Sequence, residues 1–214
     1  MNRRRRGKDP VPVNPFLPVT PPPAPVAELL DADPLLGQDL VVTGPSRPLG
    51  IPAPDGVTLA RTFSAPEGRT HLVGLHGGAG TSTLTHLLGS GAVVDAGTKV
   101  PIGGHPKVLF VARTHAAGLA AVLQAGQVWA AEQLTDVQLL GLVLVDDGPR
   151  IGKEQLALCR QVMRILPRTW RIGWVEPWRT QTEPDPGGAP RRTRATLRQL
   201  QAISTPTTTA KDPS

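Results

Sequence analysis

The stretch HLVGLHGGAGTSTL, residues 71–84, decides how this chain is read. It opens as an apolar, strand-like run and is then interrupted by Gly77, Gly78 and Gly80. It continues into Thr81, Ser82 and Thr83, after which Leu84, Leu87 and Leu88 fall on one helical face. A chain that leaves a strand through glycines and enters a helix on small hydroxyl residues can turn several backbone N–H groups toward one point. That point lies at the positive end of the helix dipole, and it suits an anion such as phosphate. The same glycines also serve a plain tight connection between strand and helix.

Working outward, the pattern repeats. KVLFVAR (107–113) precedes the alanine-rich stretch 115–132, LLGLVLV (139–145) precedes KEQLALCRQVMRIL (153–166), and RTWRIGW (168–174) closes the series. Continuous apolar strands alternating with helices predict a parallel sheet covered on both faces, hence an α/β three-layer sandwich. GVTLARTF (56–63) reads as an edge strand. AVVDAG (92–97) reads as one vestigial strand with Asp95 as a possible acid, because the short span from Thr83 to Lys107 leaves little room for a full pair.

The glycine loop departs from the standard Walker A pattern, since Thr81 stands where that pattern has lysine. It more closely resembles the deviant P-loop of the ParA/MinD group of P-loop NTPases, with Gly77, Gly78, Gly80, Ser82 and Thr83 matching and His76 and Thr81 replacing the two lysines. With VLFVARTHAAGL, LLGLVLVDDGP and WVEPWR, the region from about 70 to 180 also resembles an uncharacterised family of actinobacterial P-loop-like proteins. The resemblance implies a P-loop NTPase-like fold. It implies a nucleotide, ATP or another, held by Gly77, Gly78, Ala79, Gly80, Thr81, Ser82 and Thr83, with Ser82 on Mg²⁺. Both missing residues are charged. Losing the lysine contact weakens triphosphate binding by about 10- to 100-fold. It also leaves phosphoryl transfer without its usual charge stabilisation, so little or no hydrolysis is expected and no catalytic residue is assigned.

Ligands of open parallel sheets bind beyond the carboxyl ends of the strands, so the residues ending each strand are auxiliary candidates. These are His76, Arg113 as a substitute cation, and Asp147, weakly preferred over Asp146 in a run that resembles a Walker B strand but also sits where a base would lie. Trp174 and Trp178 are candidates for base stacking or, more simply, for packing. A nucleophile elbow around Ser82 fails because Leu84 stands where glycine is required. The five histidines form no dense zinc motif, and Cys159 falls on an apolar helical face.

Composition sorts the rest. Of 24 prolines, 14 lie in residues 1–69, and the chain carries a net charge of +6 with one cysteine. The expected organisation is a disordered proline-rich extension over 1–55, the α/β domain over 56–180, and a linker, short basic helix and tail over 181–214. A short helix is possible over 27–36. Arg3 to Arg6 and Arg191 to Arg198 are the basic clusters of the tails. Leu197, Leu200 and Ile203 mark the apolar side of the C-terminal helix. A lone cysteine excludes an internal disulfide, and no run approaches a membrane span, so a cytoplasmic protein is expected. The sequence thus predicts a degenerate nucleotide-binding module acting through a protein partner of unknown identity. The alternative is a nucleic-acid-associated adaptor using its basic tails, with no nucleotide bound.

Overall fold

The computed structural model describes residues 41–63 and 68–204. The proposed helix at 27–36, the arginines at 3–6 and most of the proline-rich stretch lie outside the described residues. Eight strands occur among them: β1 (Val42–Thr43), β2 (Arg61–Phe63), β3 (Thr70–Gly74), β4 (Val93–Asp95), β5 (Val100–Ile102), β6 (Lys107–Arg113), β7 (Gln138–Val145) and β8 (Arg168–Ile172). The helices are α1 (Thr81–Leu88), α2 (Ala116–Ala130), α3 (Lys153–Val162) and α4 (Arg191–Ser204), with a 3-10 turn at Glu176–Arg179.

Six strands form one sheet in the order β1-β8-β7-β6-β3-β4. All neighbours are parallel except β1, which runs antiparallel to β8. The four strands expected from continuous apolar runs are its centre, and β6 is buried from Val108 to Ala112 because helices cover both of its faces. Phe110, Leu142 and Leu144 pack with Leu119 and Val122 of α2 and Val162 of α3. On the other face Leu72, Leu109 and Val143 pack with Leu84 and Leu87 of α1 and Leu197 and Leu200 of α4.

Between β6 and β7 the register shifts, with Val108 opposite Leu139 and Leu109 opposite Gly141. Leu140 is therefore the extra residue of a bulge. Gly141, at φ 145, has the Arg168 carbonyl oxygen 2.2 Å from where a Cβ would stand, so only glycine fits.

Three expectations are corrected. Val42 and Thr43, assigned to an extension, form the antiparallel sheet edge. Of the proposed edge strand 56–63 only Arg61–Phe63 is extended, and it pairs with Val100–Ile102 in a separate two-stranded parallel sheet. The basic helix beyond 180 is not a free tail. It lies against α1 and β8, with Leu197 and Leu200 buried and Ile203 half-buried. Burying these two leucines contributes about 1.5–3 kcal/mol each to holding the helix on the sheet.

The topology also locates a crevice. From β3 the chain goes through α1 to β4 on one side, then returns to β6 on the other, so helices leave to opposite faces where β3 and β6 end. Such a switch point opens a gap at the carboxyl edge of the sheet.

Candidate functional site

The glycine loop occupies that gap. β3 ends at Gly74, where a Cβ would meet the Ala79 Cβ at 3.1 Å and the Thr81 Cγ2 at 3.3 Å, so the loop folds back directly over the strand end. Gly78 (φ 73) and Gly80 (φ 103) adopt left-handed conformations that L side chains rarely take, and a Cβ on either would meet no neighbour. Backbone conformation, not crowding, is why glycine stands at these two positions. Gly80 is the N-cap of α1 and supplies no side-chain cap, and the first turn carries no acidic residue. The amide end of α1 is therefore left to whatever anion reaches it.

Residues His76 through Thr83 line one depression together with Asp95, Gly97, Thr98 and Arg113. The seven loop residues expected to hold a ligand are thus gathered in one place, with two of the three auxiliary candidates. The Ser82 hydroxyl donates to the Asp95 carboxylate at 2.6 Å, and the Gly97 N–H donates to its other oxygen at 2.9 Å. Partial burial opposes ionisation of Asp95, but the bonds from Ser82, Gly97 and Thr81 outweigh it and hold the carboxyl below its ordinary value. Asp95 reaches the loop because β4 pairs directly with β3, Leu72 opposite Asp95.

His76 and Thr81 are both engaged within the protein, Thr81 through its bond to Asp95. His76 Nε2 accepts the Arg113 backbone N–H at 3.0 Å, and its Nδ1 lies 2.9 Å from the Gly77 carbonyl oxygen. A carbonyl can only accept, so Nδ1 carries the proton and the ring is neutral. His76 therefore pins the loop to the end of β6 instead of offering a charge. Its ring centroid is 4.7 Å from that of His115, whose Nδ1 caps α2 by accepting from the Gly118 N–H at 3.0 Å.

Charge comes from Arg113, which donates from Nε to the Gly78 carbonyl at 2.9 Å and stands 3.8 Å from Asp147. Asp147 meets the depression only through that ion pair. Its backbone N–H is held by the buried Thr114 hydroxyl at 2.9 Å. Asp146 is committed elsewhere, to Arg171, whose Nε and Nη2 donate to its two oxygens at 2.8 and 2.9 Å. The acid that sits beside the loop is Asp95, which the sequence offered as a possible acid while favouring Asp147. The available signal was position, since the strand that follows α1 is the one free to pair beside β3.

A second cleft adjoins the first and shares Gly80, Thr83 and Arg113 with it. Its far side is formed by the segment after β8, including Trp174 and Trp178. The remaining histidines and Cys159 do not assemble into a metal centre. Among the described residues no group of three or more His, Cys, Asp or Glu side chains is placed to hold a metal ion. His71 and Cys159 are buried in the core, and burial pushes the Cys159 thiol up, away from reactivity.

A family model matches residues 69–199, more than half of the chain, and its description is a family of unknown function, DUF6668. The chain belongs to DUF6668. The match runs from the residue before β3 into α4, so the family's segment includes the glycine loop, Asp95, both clefts and the first part of the docked C-terminal helix. No curated protein and no solved structure matches the chain.

Proposed function

We propose that this DUF6668 chain is a degenerate nucleotide-binding module, with ATP and Mg²⁺ as its ligand, that hydrolyses little or nothing and acts through a protein partner. The observation that carries the reading is the 2.6 Å contact between Ser82, the second residue of α1, and Asp95 at the end of the neighbouring strand. A P-loop hydroxyl and a strand-end carboxylate are the protein oxygens that hold Mg²⁺ beside a triphosphate. Mg²⁺ keeps several waters and takes only one or two carboxylates plus phosphate oxygens, so this sparse donor set suits it. When bound, the ion would offset phosphate charge.

The likeness of the loop to the deviant P-loop of the ParA/MinD group supports the same reading, as does its place at a sheet switch point. The chain's own residues bind and orient. The amide end of α1 and Arg113 receive negative charge, and His76 keeps the loop fastened to β6. Thr81 brings no cation to the phosphates, which is why slow or absent hydrolysis accompanies binding.

Titration calorimetry of the full chain with ATP and Mg²⁺ tests this. Weak saturable binding, lost without Mg²⁺, is expected; no heat at millimolar nucleotide would refute it. The second reading, a nucleic-acid-associated adaptor, draws on α4, which carries four arginines and no acidic residue. Duplex DNA that binds with a salt slope reduced by about 1 per arginine removed, alongside silence toward ATP, would favour that reading.

A further inference from the structure

Beyond the glycine loop, the adjoining cleft carries its own chemistry. Leu84, Val145, Ile172 and Val175 give it an apolar lining, Trp174 and Trp178 face it, and it is an open cleft whose enclosed space is about 70 Å³. Both indole N–H groups are already used within the protein. Trp174 Nε1 donates to Glu176 at 2.6 Å and Trp178 Nε1 donates to the Asp185 carbonyl at 3.0 Å. The Arg179 guanidinium stands 5.5 Å from the Trp174 ring centroid. These rings are therefore held in place and have only their hydrocarbon and π surfaces to offer a ligand.

Among the described residues one carboxylate lines the cleft, that of Asp146, and it is similarly engaged. Guanine presents two parallel N–H donors, which need both oxygens of a carboxylate on one edge. Arg171 already occupies that edge of Asp146 with its own two-pronged bond. An adenine or guanine ring entering here would find apolar and aromatic walls, with no free carboxylate among the described residues to read its edge.

We propose that this cleft is a stacking site for the heterocyclic base of the ligand whose phosphates lie on the glycine loop, and that it accepts adenine and guanine alike. This rests on the nucleotide reading above and adds the base position and its lack of purine selectivity. The shared residues Gly80, Thr83 and Arg113 make the two clefts continuous, so one molecule spans both.

The test compares ATP, GTP, tripolyphosphate and adenosine, each with Mg²⁺, on the full chain, followed by calorimetry and tryptophan fluorescence. Stacking on an aromatic side chain should make ATP and GTP bind about 5- to 150-fold more tightly than tripolyphosphate and within about threefold of each other. Trp174→Ala should bring both nucleotides toward the tripolyphosphate value while leaving tripolyphosphate itself unchanged, and Trp174→Phe should keep most of the advantage. Equal affinity of ATP and tripolyphosphate, or a preference for one purine above about 30-fold, would overturn the proposal. Adenosine binding without tripolyphosphate binding would sustain the cleft and sink the loop. Tripolyphosphate binding with no gain from a base would do the reverse, and binding of none of the four would overturn both.

Discussion

Replacing Asp95 by Asn probes the contact on which the functional reading rests. In the folded protein the carboxylate accepts two bonds, from the Ser82 hydroxyl at 2.6 Å and the Gly97 N–H at 2.9 Å. An amide keeps one oxygen acceptor and turns an NH₂ toward the second donor, so one charged bond becomes neutral and the other is lost. Charged hydrogen bonds contribute about 1.5–3 kcal/mol and neutral ones about 0.5–1.5, a gross loss near 3 kcal/mol. Because the group is partly exposed, solvent screening reduces this to about 1–2 kcal/mol at pH 7. In a domain of this size that lowers Tm by about 2–8 °C.

The pH dependence has a definite sign. The folded-state pKa of Asp95 lies below the ordinary value of 3.8, because the bonds from Ser82, Gly97 and Thr81 outweigh the opposing effect of burial. The unfolded chain therefore takes up the proton first as pH falls. The stabilisation is complete well above 3.8 and is lost as pH drops through the lower folded value. Urea unfolding of wild type and Asp95→Asn at pH 7 and pH 3 reads the gap directly, and a gap that is absent at pH 7 or undiminished at pH 3 would refute the reasoning. The same variant should lose the Mg²⁺ dependence of ATP binding.

Other outcomes follow from the core. Leu200 is fully buried between α4 and its neighbours, so Leu200→Ala should cost about 2–5 kcal/mol in urea unfolding, and a loss under 0.5 kcal/mol would mean that α4 is not docked in solution. His71 is buried with neither ring nitrogen hydrogen-bonded, and burial, aided by the Arg69 charge, lowers its pKa from the ordinary value of 6.5. The unfolded chain alone then takes up this proton below 6.5, so the wild type loses stability as pH falls from there toward the lower folded value, by at most about 1.4 kcal/mol per pH unit. His71→Leu should remove this component, seen as a wild-type-to-variant difference that changes between pH 8 and pH 5; a constant difference would count against it.

Apolar runs and glycines, which act locally, were enough to read the central strands β3, β6, β7 and β8, the helices between them and the strand-loop-helix passage at Gly77–Gly80. A strand buried on both faces must be apolar throughout, and a left-handed turn all but demands glycine, so both leave marks in a one-dimensional string. What each polar side chain does was decided only by tertiary pairing. Asp95 became the acid beside the loop because β4 lies next to β3, and Asp146 was withdrawn because Arg171 on β8 occupies both of its oxygens. His76, expected as an auxiliary ligand residue, is a backbone pin because the Arg113 amide at the end of β6 donates to its ring at 3.0 Å. The arginine-rich C-terminal helix shows the same division. Its spacing of Leu197 and Leu200 was legible as amphipathic, but whether that side meets water or a core depends on α1 and β8 offering an uncovered apolar face, which is a property of the assembled sheet and not of the helix.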